Sequence, residues 1–159
     1  KVCVLCPKRV LAAGKFDILH LGHLSYLKQA RELAGPDGEL VVVIALDKTI
    51  ERERGAPPVF PQEQRRQLVE ALGIVDRAVL GYDTDDRTRI VRDIKPDIVA
   101  LGYDQVADTE ALQRLFDEEG LNSRVIRLAQ YPSPDNLCSS TQIRRRIIEY
   151  YRANGTVDK

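Results

Sequence analysis

The segment GELVVVIAL, Gly38 to Leu46, restricts the fold more than any other part of the chain. From Leu40 to Leu46 it is aliphatic and largely β-branched, with no polar position, so a strand built from it is apolar on both faces. Such a strand has no face to give to water. It belongs in a parallel sheet covered by helices on both sides, because strands of hairpin sheets alternate apolar and polar positions. The runs RVLAA, DRAVLG, PDIVALG and RVIRLA are four further strand candidates.

Helical spacing separates these runs. Leu24, Leu27, Ala30 and Ala34 recur three or four apart, and Leu68, Val69 and Leu72 follow Pro61 at a helix start. A shorter helix is expected from about Asp86 to Ile94, ahead of Pro96. Another is expected from Thr109 to Glu119, with Ala111, Leu112, Leu115 and Phe116 on one face and Gly120 as its stop. The last begins near Ser140 and carries Ile143, Ile147, Ile148 and Tyr151. Strand and helix thus alternate five times. With right-handed crossovers this gives one Rossmann-like, doubly wound α/β domain, a five-stranded parallel sheet with helices on both faces. At 159 residues the chain fits one such domain. GAPPVFP, Gly55 to Pro61, reads as its most mobile loop.

Composition narrows the function classes. The formal net charge is zero, which gives no bulk electrostatic case for nucleic acid or an anionic membrane as partner. No apolar run approaches the roughly 20 residues that span a bilayer, and no secretory signal is visible. Three cysteines, Cys3, Cys6 and Cys138, supply no disulfide framework, so a reducing cytoplasm is the expected location. CVLC (Cys3 to Cys6) has metal or redox spacing but no second pair, and packing is its expected role.

In a doubly wound sheet, ligands bind beyond the carboxyl ends of the strands, where the strand order reverses. Strand one is followed by Gly14-Lys15-Phe16-Asp17 and then by the chain's two histidines, His20 and His23. Strand two is followed by Asp47 and Lys48, then Arg52 and Arg54. Strand four is followed by Gly102-Tyr103-Asp104-Gln105, and strand five by Tyr131 and LCSSTQIRRR. Cations gathered at one edge of a neutral protein point to an anionic small molecule. Neither a Gly-x-x-x-x-Gly-Lys-Ser/Thr loop nor Gly-x-Gly-x-x-Gly is present. A helix starting near Gly22 would instead aim its free N–H groups and its dipole at that edge. Gly22 would let a phosphate approach the backbone, and the two imidazoles would add donors. Ser139, Ser140 and Thr141 fall at the first turn of the last helix, with Arg144 one turn on. Two such helix starts could hold two ends of a polyphosphate. Plainer readings stand beside these: SST as a helix cap, part of RRR as a solvated face, and Asp17 as a residue that only orients its turn.

GKFDILHLGH resembles the Gly-Thr/Ser-Phe-Asp-x-x-His-x-Gly-His signature of the nucleotidyltransferase superfamily that includes cytidylyltransferases and phosphopantetheine adenylyltransferase. SSTQIR is similar to its C-terminal Ser-Ser/Thr-Thr-x-Ile-Arg phosphate motif. PQEQRRQLVEALGIVDRAVLG and IKPDIVALGYDQ look like the corresponding blocks of archaeal FAD synthases, which are related to glycerol-3-phosphate cytidylyltransferases. The likeness runs from about Arg9 to Ile148. Residues 1–8 lie outside it as an extension, and the nucleotidyltransferase domain is expected over 9–159.

This resemblance implies transfer of AMP from ATP to the phosphate of FMN, giving FAD and pyrophosphate, with a divalent cation (Mg²⁺, Mn²⁺ or Co²⁺). It implies His20 and His23 on the α- and β-phosphates, with Gly14, Phe16 and Gly22 beside the nucleotide. Ser139, Ser140, Thr141 and Arg144 would hold the β- and γ-phosphates, Asp104 the ribose or base, and Tyr131 the adenine. Arg52, Arg54 and Arg65 are candidates for the incoming phosphate, and Asp17 for a metal contact. Lys15 stands where the family has Thr or Ser, replacing a hydroxyl with a long cation that could reach a phosphate. The resemblance also implies a homodimer. Two other readings compete: a cytidylyltransferase acting on glycerol 3-phosphate or a similar small phosphorylated alcohol, and a non-catalytic nucleotide-binding module.

Overall fold

A computed structural model describes residues 6–155. Five strands form a single parallel sheet: β1 (Arg9–Gly14), β2 (Glu39–Ile44), β3 (Arg77–Leu80), β4 (Ile98–Leu101) and β5 (Arg124–Arg127), in the order β3-β2-β1-β4-β5. β1 pairs with β2 over its whole length, from Arg9↔Glu39 to Gly14↔Ile44, and with β4 from Val10↔Ile98 to Ala12↔Ala100. The order reverses between β1 and β4, so the crevice above that pair is where a doubly wound sheet binds ligands.

The all-apolar β2 behaves as its sequence demands. Leu40, Val42 and Ile44 face one core layer with Leu27, Ala30 and Ala34 of α1 (Leu21–Ala34) and Val69 of α3 (Gln62–Glu70). Val41 and Val43 face the other, with Val91 and Ile94 of α4 (Arg89–Ile94) and Phe116 of α5 (Thr109–Glu118). Both faces are covered, and each layer draws on residues far apart in sequence.

Four local features depart from the sequence reading. Asp47–Arg54 is a helix, α2, to which the sequence reading assigned no element; Ile50 is its one buried residue, so no apolar periodicity marked it. The last helix, α6 (Ser140–Asn154), buries no residue, and its expected core positions Ile147 and Ile148 stand about half exposed. The loop 55–61 is pinned by hydrogen bonds from its backbone to Asp17. Cys6 is exposed, not packed, whereas Cys3 lies outside the described residues. No helix among the described residues is long and apolar enough to cross a membrane.

Candidate active site

β1 ends at Gly14, and the following turn carries the chain across the crevice into α1. The turn is strained. Phe16 and Ile18 lie in the left-handed region, at φ 51° and 62°, a placement that costs on the order of 1–3 kcal/mol for such residues. Burial holds it in place. Phe16 is sealed in the core, its ring stacked 6.4 Å from that of Tyr26. Asp17 is only 2% exposed and accepts the N–H groups of Val59 at 2.9 Å and Phe60 at 3.0 Å, and Arg54 Nη2 at 3.3 Å. Burial pushes its carboxyl upward, but these donors outweigh burial and hold it below the usual carboxylate range. The backbone carbonyl of Asp17 accepts the Ser140 hydroxyl. Turn, loop 55–61 and the start of α6 therefore meet at one buried residue.

His20 is the N-cap of α1. Its Nδ1 accepts the N–H of Gly22 at 3.1 Å and of His23 at 3.4 Å, while His23 Nδ1 accepts the N–H of His20 at 3.4 Å. This is a capping box built from two imidazoles in place of the usual Ser/Thr and Glu. It fixes the chemistry of both rings. A neutral imidazole whose Nδ1 is an acceptor carries its proton on Nε2, so each ring keeps one N–H donor for a ligand. The rings stack with centroids 3.8 Å apart and both line the cleft. Burial lowers the His20 pKa against the opposing charge of Asp104. Burial, aided by His20, lowers that of His23 to about 3. Both are thus neutral donors at physiological pH.

The cleft has a volume of about 980 Å³ and lies over the β1–β4 crevice. It brings together Gly14, Lys15, Gly22 and both histidines from the first motif, Ser139, Ser140, Thr141 and Arg144 from the last, and Asp104 and Tyr131 from between them. At α6 no side chain caps the first turn, which leaves its N–H groups facing outward. Arg144 donates from Nη2 to Thr141 Oγ1 at 3.1 Å, while its Nη1 is buried without a hydrogen bond. A buried guanidinium donor with no acceptor, at a bare helix start, fits an anion.

Several expected roles change. Arg65 is wholly buried; it donates to the carbonyls of Lys15 at 2.6 Å and Phe60 at 2.9 Å and to Asp47 at 2.7 Å, and cannot reach a ligand phosphate. Arg52 lies outside the cleft lining and faces Asp83 at 3.8 Å. Arg54 lines the cleft but is engaged by Asp17 and by the Pro57 carbonyl at 2.8 Å. Asp17 does not fit a metal, because both its oxygens already accept protein donors. Among the described residues no group of three His, Cys, Asp or Glu side chains converges on a possible ion. The Ser140 hydroxyl is spent on Asp17, which leaves that residue its backbone N–H for a ligand. Lys15 pairs with Glu53 at 3.1 Å on the cleft wall.

Gly22 has a different reason to be glycine from the one expected. A Cβ there would sit 2.6 Å from the Cys138 carbonyl oxygen and 2.9 Å from the His20 ring. The glycine lets α1 and the segment entering α6 touch, which is how the two motifs come to share a cleft. Gly22→Ala should push them apart. Because a displacement near 1 Å can cost about a hundredfold in rate, turnover should fall roughly ten- to a hundredfold with the fold intact by circular dichroism. Activity within twofold of wild type would count against this packing role.

A family model described as cytidylyltransferase-like matches residues 11–146. The chain belongs to the cytidylyltransferase-like family. It is 45% identical to the FAD synthase of Thermoplasma acidophilum over 141 residues, covering 89% of this chain and 94% of that protein. It is 43% identical to the FAD synthase of Methanopyrus kandleri over 145 residues, covering 91% and 95%. A crystal structure described as the lipopolysaccharide core biosynthesis protein from Thermoplasma volcanium superposes with a TM-score of 0.72 at 44% identity, covering 78% of this chain and 98% of that one.

Within this member of the family, residues to which the sequence reading gave no role complete the site. Gln105 donates to the Ala13 carbonyl at 2.7 Å and accepts the Gly102 N–H at 3.0 Å, tying the loop after β4 to β1. Arg127 of β5 holds that loop from behind, donating to the carbonyls of Gly102 at 2.8 Å and Gln105 at 3.0 Å and to that of Ala107. Tyr26 donates to the Ala100 carbonyl at 2.6 Å and accepts the Ala13 N–H at 3.1 Å, closing the crevice floor. Glu53, Arg87, Tyr103, Val106 and Cys138 also line the cleft. Position after a strand was the available signal for Tyr103, Gln105 and Val106. Nothing in the sequence marked Arg127 or Tyr26.

The depressed histidines predict a pH effect. A group that stays neutral in the fold but gains a proton when unfolded loses stability for the native state as pH falls. For His23 the loss begins near the ordinary value of 6.5 and runs down towards about 3. Asp17, whose carboxyl is depressed, adds a further loss below its ordinary 3.8. The thermal midpoint should therefore decline steadily below about pH 6.5, and less steeply in His23→Asn. A midpoint equally flat in both proteins down to about pH 4 would contradict the burial of a neutral His23.

Proposed function

We propose that this chain is an FMN adenylyltransferase, which joins ATP and FMN to give FAD and pyrophosphate. The observation that carries the proposal is the convergence of two donor sets across Gly22: the Nε2–H groups of His20 and His23, and the bare first turn of α6 with Arg144. A single phosphate needs one such set, whereas a triphosphate spans two. The choice of acceptor and nucleotide draws on the FAD synthases that the chain resembles.

The second pKa of a phosphate monoester is about 6, so the FMN phosphate is already a dianion at neutral pH. It attacks the α-phosphorus of ATP in line; a new P–O bond forms and the bond to pyrophosphate breaks. No protein base is required, because no proton needs to leave the nucleophile. Catalysis is positioning and charge stabilisation. His20 and His23 donate to the oxygens on which charge builds. Arg144, Thr141 and the first-turn N–H groups of α6 hold the β- and γ-phosphates and then the departing pyrophosphate. Asp104 meets the ribose or base, and Tyr131 borders the adenine. Lys15, once released from Glu53, approaches the reacting phosphates. With Asp17 occupied, a divalent cation would be held by the phosphates of ATP, where it would neutralise charge, as Mg²⁺ commonly does.

Incubation with ATP, FMN and Mg²⁺ should give FAD and pyrophosphate in equal amounts. No FAD with Mg²⁺, Mn²⁺ or Co²⁺ under reducing conditions would overturn the proposal. Consumption of CTP with glycerol 3-phosphate would then select the cytidylyl reading, and tight nucleotide binding without pyrophosphate release a binding module. A cytoplasmic location and a homodimer belong to the same proposal. Sedimentation of the purified chain as a monomer would remove the dimer.

A further inference from the structure

We propose that Arg87 and Val106 form the acceptor side of the cleft, Arg87 meeting the acceptor's phosphate and Val106 the apolar face of its ring system. The proposal rests on the adenylyl-transfer reading and goes beyond it, since neither residue belongs to a motif of the chain's first or last helix.

The argument begins with the cations. The arginines that the sequence offers for an incoming phosphate are otherwise engaged: Arg65 is buried with three acceptors, Arg52 lies outside the cleft, and Arg54 is held by Asp17 and Pro57. Lys15 is neutralised by Glu53. Arg144 stands at the start of α6, where the triphosphate is read. Arg87 is different. It lines the same cleft from the β3–α4 connection, is exposed, and makes no hydrogen bond or ion pair among the described residues.

Its isolation is not for want of carboxylates. Asp83 is taken by Lys48 at 2.6 Å, and Asp86 by Thr88 at 2.9 Å and by Arg92 at 2.7 Å. Asp83 and Asp86 thus answer other groups, and Asp85, exposed two residues before Arg87, forms no ion pair with it, so the guanidinium is left for a ligand. Guanidinium also suits a phosphate, which it meets with paired donors.

Val106 is the second observation. It lines the cleft, yet it is fully exposed, the most exposed large hydrophobic residue described. The nearby Tyr103 is 42% exposed on the same lining. A small phosphorylated alcohol has no apolar surface to lay against them. A flat ring system does. An unpaired cation and a bare apolar side chain lining one cleft match an acceptor that is anionic at one end and aromatic at the other.

Steady-state kinetics with FMN and ATP varied separately test the pair. Arg87→Ala should raise KM for FMN about ten- to a hundredfold, the range for losing a charge-assisted hydrogen bond, and leave KM for ATP within about twofold. Arg87→Lys should recover part of the loss. Val106→Asp should also raise KM for FMN, by at least about tenfold, since it sets a carboxylate against an apolar and anionic ligand. Both positions are exposed, so folding is spared, and circular dichroism checks this. Unchanged KM for FMN, or equal rises for both substrates, would overturn the inference. Failure of the parent reading looks different: wild type then makes no FAD at all. If wild type instead releases pyrophosphate with another phosphorylated acceptor, a selective rise in its KM in Arg87→Ala upholds the phosphate role, and no rise refutes it.

Discussion

His23→Ala should lower kcat by about 10²–10³-fold, the usual loss on removing one preorganised charge-stabilising donor, while KM for ATP changes by less than about threefold. The asymmetry follows from the geometry. In the proposed reaction ATP would be held along its whole length by α6, Arg144 and the β4 loop, whereas the His23 Nε2–H would serve the oxygens whose charge grows during transfer. An interaction made chiefly in the transition state appears in kcat and not in KM. His23 also accepts the His20 N–H at 3.4 Å, so part of any loss could come from a loosened cap. His20→Asn separates the two effects. Asparagine is among the best N-cap residues and can accept the Gly22 and His23 N–H groups in place of Nδ1, but it does not extend to the Nε2 position. Its thermal midpoint should stay close to wild type while kcat falls by a similar factor. The double variant should lose less than the product of the two, because stacked rings 3.8 Å apart act as a unit. Equal losses in kcat and in ATP affinity would make the pair binding residues only.

The parts of this molecule legible from sequence are those in which one residue type has one physical use. The unbroken apolar run of β2 could only be a doubly covered strand, and from it the parallel sheet follows. The two motifs were legible because imidazole, glycine and hydroxyl residues at helix starts are uncommon together. Residues with several possible uses were misjudged or missed. An arginine can serve a ligand or a backbone, and Arg65 and Arg127 both chose the backbone through contacts 22 to 50 residues away in sequence. An aspartate in a turn can bind metal or N–H groups, and Asp17 found its donors in a loop more than 40 residues on. The same link explains why GAPPVFP, rich in proline, is anchored. Helix α2 escaped notice because one buried isoleucine among charges leaves no period to read.

Arg65→Ala should be the most damaging of the substitutions to stability, and it decides between the two uses of that arginine. The side chain is wholly buried, and its three donors satisfy the Lys15 and Phe60 carbonyls and the Asp47 carboxylate. Truncation leaves a cavity, two carbonyls without donors and a carboxylate without its cation. Each orphaned group costs about 1–3 kcal/mol, and breaking a buried pair about 3–5. Asp47 is 41% exposed on its side chain, so water replaces part of its lost partner. A net loss of roughly 3 kcal/mol is expected, which in a domain of this size lowers the thermal midpoint by roughly 6–12 °C. Arg65→Lys keeps the charge but cannot span three acceptors, and should recover less than half of the loss. Because the Lys15 and Phe60 backbones flank Asp17, activity should fall through both kcat and the KM for FMN. A residue that touched the acceptor phosphate directly would behave otherwise: its removal would raise KM for FMN and leave the midpoint near wild type. The thermal midpoint therefore tells a buried brace from a ligand contact.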